Sequence, residues 1–175
     1  RFILDLDPDP ALPWLHMIEA THLVCVVLQE LGLVSFLKTS GGKGIHIVVP
    51  LTPKDDWTAV KTFSQAIVKH IAKLIPERFS AVSGPKNRVG RIFIDYLRNS
   101  SGATTVAAYS VRARPGLAVS MPIWHEELSM LQGAHVFTIQ NVFRRLDSLI
   151  EDPWAALPNT AQTITAQMRK KLGIR

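Results

Sequence analysis

One cysteine, Cys25, is all the chain has. That excludes a disulfide framework and any zinc site built from thiolates, and it points to a reducing, cytoplasmic compartment. No run of about 18 uninterrupted apolar residues is present, so no membrane span is expected. The richest segment, HLVCVVLQELGLV, is broken by Gln29 and Glu30. There is no low-complexity tract, no internal repeat and no signal peptide, since the first residues read as a strand. The sequence starts at Arg1 without a methionine, inside that strand pattern, and reads as a piece of something longer. Acid is in short supply as well. Against 20 Lys and Arg stand 14 Asp and Glu, a formal charge of +6, which favours an anionic partner such as nucleic acid or nucleotides.

What is present suffices for one compact domain over residues 1–175, with 47% of the residues hydrophobic. The basic residues gather in two places. One group, Arg169, Lys170, Lys171 and Arg175, reads as a solvated helix end. The other, Lys86, Arg88, Arg91, Arg98, Arg112 and Arg114, lies among strands and loops.

After the opening strand, apolar residues at helical spacing predict a helix from Pro13 to Gly32. VSFLKTS and IHIVVPL read as a hairpin about GGKG. A second amphipathic helix runs from Thr58 to Ile75, stopped by Pro76. FSAVSGPKNRVG is a basic loop with room for a short strand at its start, RIFIDYL a strand, and TVAAYSVRAR a further strand. WHEELSML begins a short helix, and longer ones are expected over Thr138 to Ile150 and Thr160 to Leu172. Strands and helices do not alternate strictly. The expected class is α+β, a mostly antiparallel sheet flanked by helices.

Four stretches can carry chemistry. In RFILDLDP, Asp5 and Asp7 emerge on one strand face while Phe2, Leu4 and Leu6 take the other. Two adjacent carboxylates repel unless a cation lies between them, so this is either a metal site or a strand end closed by an Asp-Pro turn. In TSGGKGIHI, the glycines allow backbone N–H groups to form an anion nest, with Thr39 and Ser40 hydroxyls, the Lys43 charge and His46 beside it; the bland reading is a Gly-Gly hairpin turn. The Walker A pattern is absent. In IDYLRN, Asp95 sits in mid-strand and needs a partner, either an arginine (Arg91 or Arg112) or a metal shared with Asp5 and Asp7. In YSVRAR, Arg112 and Arg114 share a strand face and suit phosphate oxygens, unless they only guard a sheet edge. Carboxylates, a glycine nest, a histidine and paired arginines together are the parts of metal-dependent phosphoryl or nucleotidyl transfer.

LDLDP, TSGGKGIHI, IDYLRN and AAYSVRAR, in this order and spacing, resemble the primase-polymerase domain of bacterial DNA ligase D, within the archaeo-eukaryotic primase superfamily. The resemblance runs across nearly the whole chain. It implies a template-directed nucleotidyltransferase that fills gaps and extends DNA ends in bacterial non-homologous end joining, preferring ribonucleotides. Two Mn²⁺ or Mg²⁺ ions would be the cofactors, with Asp5, Asp7 and Asp95 as ligands and Asp95 placed to help ionise the primer 3′-hydroxyl. Ser40, Lys43 and His46 would hold the triphosphate. Arg112, supported by Arg114, would contact the nucleotide, with Asn99 near it. Arg88, with Lys86 and Arg91 in the same basic stretch, would touch DNA. The implied partners are gapped or 3′-protruding, 5′-phosphorylated DNA ends, ribo- or deoxyribonucleoside triphosphates, the end-binding protein Ku, and a ligase domain in cis or in trans. The implied setting is the bacterial cytoplasm, at the nucleoid during repair. The family's module is longer on its N-terminal side, so the chain is expected to be the catalytic part without the pocket for the downstream 5′-phosphate. Tyr96 stands where some relatives carry tryptophan.

Two other readings compete. ILDLDP superficially matches haloacid-dehalogenase-type phosphatases, which would require a doubly wound parallel sheet, and the basic residues alone would suit a non-catalytic nucleic-acid-binding module.

Overall fold

In the computed structural model, which describes residues 1–174, six strands form one sheet in the order β4-β5-β1-β3-β2-β6. They are β1 (Phe2–Pro8), β2 (Phe36–Thr39), β3 (Ile45–Val49), β4 (Phe79–Ser80), β5 (Ile92–Asp95) and β6 (Pro122–Ile123). Only β4 and β5 pair in parallel; every other pairing is antiparallel. The α+β expectation holds, and the phosphatase reading falls, because β1 lies between two antiparallel neighbours.

Two long helices cover one face of this sheet. Helix α1 (Trp14–Glu30) begins after Pro13, whose missing N–H costs nothing there, and Gly32 follows its end at φ +82°. Met17, Ala20, Thr21, Val24 and Leu28 form its buried stripe. Helix α2 (Trp57–Leu74) is capped by Asp56, whose carboxylate accepts from the Ala59 N–H at 2.7 Å. It buries Val60, Phe63, Ile67 and Ile71. These stripes pack on Phe2, Leu4 and Leu6 of β1, Ile45, Ile47 and Val49 of β3, and Ile92 and Ile94 of β5. Burying each such side chain stabilises the fold by roughly 1.5–3 kcal/mol.

Period-two alternation sends the intervening residues to the opposite face. There Ile3, Phe36 and Val48 make a small apolar cluster under Trp154 and Leu157, and the Trp154 indole N–H donates to the Leu37 carbonyl at 2.8 Å. Further along the same strands this face turns polar, with Asp5, Asp7, Lys38, His46 and Asp95.

The second half of the chain is less regular than its pattern implies. TVAAYSVRAR is not a strand but part of a loop, tied by the single bridge of Val111 to Val119, with Ala118 bridging to Thr138 just beyond it. Its backbone turns through positive φ at Tyr109 and Leu117, which an extended strand forbids. WHEELSML forms a 3₁₀ turn over Glu126–Met130. The two later helices shrink to α3 (Val142–Asp147) and α4 (Ala166–Lys171). The terminal basic group does not simply face solvent: Arg169 pairs with Asp55 at 2.9 Å and the Lys171 ammonium donates to the Glu30 carbonyl at 2.8 Å, at the end of α1. Arg175 lies outside the described residues. No described helix is long and apolar enough to cross a membrane.

Candidate active site

Strand register builds the centre of the site. Asp95 lies opposite Asp5, Asp5 opposite His46, and His46 opposite Lys38. Directly opposed residues of antiparallel strands share a face, so these four side chains form one row across β5, β1, β3 and β2. Asp7 stands two residues beyond Asp5 on the same face. Asp5 and Asp7 line a cleft of about 580 Å³ whose other walls carry Ser40, Lys43, His46, Arg88, Arg112 and Arg114.

Each acid is held by a protein group. Asp5 Oδ2 is 3.3 Å from His46 Nε2, and Asp7 Oδ2 is 3.4 Å from Arg88 Nη1. Asp95 accepts from the Leu97 N–H at 2.7 Å and lies 3.8 Å from Arg98. Its arginine partner is thus Arg98, not Arg91 or Arg112, because the chain turns after β5 and returns Arg98 to the carboxylate. Burial, and then the charge of Asp5, raise the pKa of Asp7 above the ordinary carboxylate value. Burial also raises that of Asp95, against the Leu97 N–H and with Asp5 adding to it. Buried carboxylates of this kind gain from a bound cation, and their hard oxygen donors suit Mg²⁺ or Mn²⁺. Among the described residues no three His, Cys, Asp or Glu side chains converge on one point; the acids are turned to their separate partners.

The hairpin turn between β2 and β3 differs from an open nest. Ser40 Oγ accepts from the Gly42 and Gly44 N–H groups, both at 3.1 Å, so a side-chain oxygen already fills the concavity. That leaves the serine hydroxyl hydrogen free for an external acceptor. Gly41 N–H donates to the Ala134 carbonyl. Thr39 adds nothing to the cleft: its hydroxyl serves the Val119 carbonyl and Met121 N–H. Gly44 is required for another reason, since a Cβ there would stand 2.2 Å from the Leu6 carbonyl oxygen.

Arg112 and Arg114 reach the cleft from the irregular loop rather than from a strand. Arg112 Nη1 donates to the Ser40 carbonyl at 3.2 Å, and its stem covers Gly41, where a Cβ would meet it at 2.7 Å. Arg88 ends the 3₁₀ turn Pro85–Arg88, and its buried Nε has no hydrogen-bond partner. That turn is pinned by Asp9. One Asp9 oxygen accepts from the Gly90 N–H at 2.6 Å and the other from Ala11, while the Asp9 N–H donates to the Arg91 carbonyl. The DPDP segment therefore does more than end a strand.

Three expected residues stand elsewhere. Asn99 is buried, and its side-chain amide accepts from the Ile3 N–H and donates to the Ile3 carbonyl, both at 2.8 Å, with Ser64 as a further acceptor. It continues the pairing that β5 ends at Asp95, and both amide hydrogens are used. The Arg91 guanidinium reaches back toward the Pro76 carbonyl, and Lys86 is exposed outside the cleft lining.

One residue was not expected at all. Lys38 is buried, with Nζ 3.0 Å from His46 Nδ1 and 2.7 Å from Ser120 Oγ. Burial brings its pKa down from 10.5 to about 7. A lysine inside VSFLKTS, on the face that carries His46 across the hairpin, was the available signal.

Carboxylates, guanidinium groups and the Lys43 ammonium line one cleft, which suits a polyanion held together with a cation. The chain belongs to the LigD primase-polymerase domain family, whose model matches residues 1–154. It is 62% identical over 174 residues to the multifunctional non-homologous end joining protein LigD of Pseudomonas aeruginosa, covering 99% of this chain and 21% of that protein. The bifunctional non-homologous end joining protein LigD of Bacillus subtilis is 33% identical, over 83% of this chain and 24% of its own length. The chain thus spans under a quarter of the length of these curated relatives. Among solved structures, the polymerase domain of Mycobacterium tuberculosis ligase D in complex with DNA aligns with a TM-score of 0.82 and 26% identity, over 92% of this chain and 55% of that one.

Proposed function

We propose that the cleft performs template-directed nucleotidyl transfer, filling gaps and extending DNA ends in non-homologous end joining, with ribonucleotides preferred. The observation that carries this reading is that Asp5, Asp7 and His46 share a single cleft with Ser40, Lys43 and Arg112, while Asp95 stands opposite Asp5 on the neighbouring strand. It sets groups that attract cations against groups that attract phosphate. Asp5, Asp7 and Asp95 would hold Mg²⁺ or Mn²⁺. Two such ions, if bound there, would supply charge that eases ionisation of a primer 3′-hydroxyl and stabilises the leaving pyrophosphate.

The chain's own groups supply binding and orientation. The Ser40 hydroxyl hydrogen, the Lys43 ammonium, His46 and the Arg112 guanidinium meet the triphosphate oxygens. Arg114 adds positive charge at the rim. Arg88, 3.4 Å from Asp7, would give up that carboxylate to a bound cation and offer its fork to a DNA phosphate. A 5′-phosphorylated gapped duplex, Ku and a ligase domain are the partners that follow from kinship with end-joining proteins.

Primer extension on gapped, 5′-phosphorylated DNA with Mn²⁺ or Mg²⁺ and either nucleotide type is the test. Asp7→Ala and Asp95→Ala should each abolish addition and leave DNA binding largely intact. Continued extension by either variant would overturn the metal-ligand roles. Metal-indifferent DNA binding with no nucleotide binding would favour a plain nucleic-acid-binding module.

A further inference from the structure

We infer that Lys38 is a positioning residue: its buried ammonium holds His46 with a hydrogen on Nε2, aimed at the cleft, so that His46 serves as a fixed donor to a phosphate oxygen. The inference deepens the nucleotide-binding reading of His46 and rests on it.

The hydrogen inventory carries the argument. Ser120 Oγ lies 2.8 Å from the Thr39 carbonyl, which accepts only, so the serine hydrogen is committed there. Ser120 Oγ must then accept from Lys38 Nζ at 2.7 Å. Lys38 also faces His46 Nδ1 at 3.0 Å, and two hydrogens cannot both occupy that line. Either the ammonium donates to a bare Nδ1, or one proton has moved onto Nδ1 and the amine accepts it. On the far side of the ring, Nε2 stands 3.3 Å from an Asp5 oxygen, an acceptor when ionised. Both placements of the shared proton leave a hydrogen on Nε2. The tautomer with Nε2 bare would set two acceptors against each other at Asp5.

Nothing else available to Nδ1 does this work. Pro122, the residue opposite Lys38 on β6, has no polar side chain, and Thr39 is committed to backbone groups. Without the ammonium, the ring is free to take either tautomer and to rotate. A buried lysine in a strand is unfavourable unless its hydrogens are taken up, and here the uptake is by Ser120 and the histidine. Lys38 itself is shut away from the cleft, so its effect on a ligand passes through His46.

The test combines nitrogen-15 NMR of the His46 ring with ATP titration in the presence of Mn²⁺. In the unaltered chain, Nε2 should carry a hydrogen without ligand present. Lys38→Met, close in volume but unable to donate, should give a mixture of tautomers and weaken ATP binding about 10-fold. Lys38→Gln, whose amide still donates, should keep the Nε2 hydrogen and recover most of the affinity. Placed on His46→Ala, Lys38→Met should add less than about 2-fold. An unchanged tautomer in Lys38→Met and Lys38→Gln alike, or a 10-fold loss that persists on His46→Ala, would overturn the inference. If the unaltered chain binds no ATP while its tautomer responds to Lys38 as described, the nucleotide-binding reading fails and the positioning role stands.

Discussion

Replacing Asn99 by alanine separates a structural amide from a nucleotide contact. In the folded chain the amide takes the place of a β5 peptide beside Ile3, accepting from its N–H and donating to its carbonyl, both at 2.8 Å. Ile3 is 8% exposed, so water replaces those bonds poorly. A buried polar group left without a partner costs about 1–3 kcal/mol, and two are orphaned, for a loss of about 2–6 kcal/mol. At about 2–4 °C per kcal/mol for a chain of this size, Tm should fall by roughly 4–24 °C. Asn99→Asp is the sharper variant. A carboxylate oxygen would face the Ile3 carbonyl, so the folded state favours the protonated form and the new carboxyl's pKa rises on folding. Between the unfolded and folded pKa values the native state binds more protons, and stability falls as pH rises through that window. Asn99→Asp should therefore approach the parent at pH 4 and lie well below it at pH 8. Thermal unfolding by circular dichroism measures both effects, with ATP affinity read well below Tm. An unchanged Tm together with weakened ATP binding would refute this reasoning and return Asn99 to the nucleotide.

Other outcomes follow from the same geometry. Gly44→Ala forces a Cβ onto the Leu6 carbonyl and must part β1 from β3, so about 2–4 kcal/mol of stability should be lost in denaturant unfolding. Asp9→Ala frees the turn that carries Arg88; amide exchange over residues 85–91 should quicken while the exchange of β1 and β3 holds, and DNA affinity should drop several-fold. Asp7 is raised in the folded state, so ionising it destabilises the fold as pH rises through that window, and a divalent ion relieves the repulsion. Mn²⁺ at about 100 times its Kd should add about 2.7 kcal/mol at pH 7 and little at pH 4, while Asp7→Asn should raise the metal-free Tm and lose most of the Mn²⁺ shift. Arg112→Ala should weaken ATP binding about 10-fold or more in a titration and leave the sheet intact.

The sheet was legible in the sequence because its strands carry their burial pattern openly. FILDLD alternates in full, and the alternation alone places Asp5 and Asp7 opposite the core. Both long helices follow from their apolar spacing and from Pro76 and Gly32. The loop at residues 104–121 was not legible, because β-branched residues and alternation in TVAAYSVRAR mimic a strand while tertiary bridges dictate positive φ at Tyr109. The structural role of Asn99 was hidden for a related reason: a polar residue near a motif looks like a ligand contact until its backbone partner, 96 positions away, is known. Lys38 stayed hidden because the hairpin register that sets it against His46 is a property of pairing, not of either strand.

The central position of β1 also has a consequence for the order of events during synthesis. Of the six strands of this sheet it is made first, yet both its hydrogen-bonding edges wait for partners, β3 about 40 residues later and β5 about 90. Until then FILDLDP is an unpaired apolar ribbon, open to mispairing with other chains. Its two aspartates are then like charges on the exposed face of that ribbon, and they discourage stacking of one nascent copy on another. The same two acids, proposed as cation ligands in the finished molecule, thus also act earlier as charges against aggregation, and neutral variants of Asp5 and Asp7 are expected to give that protection up.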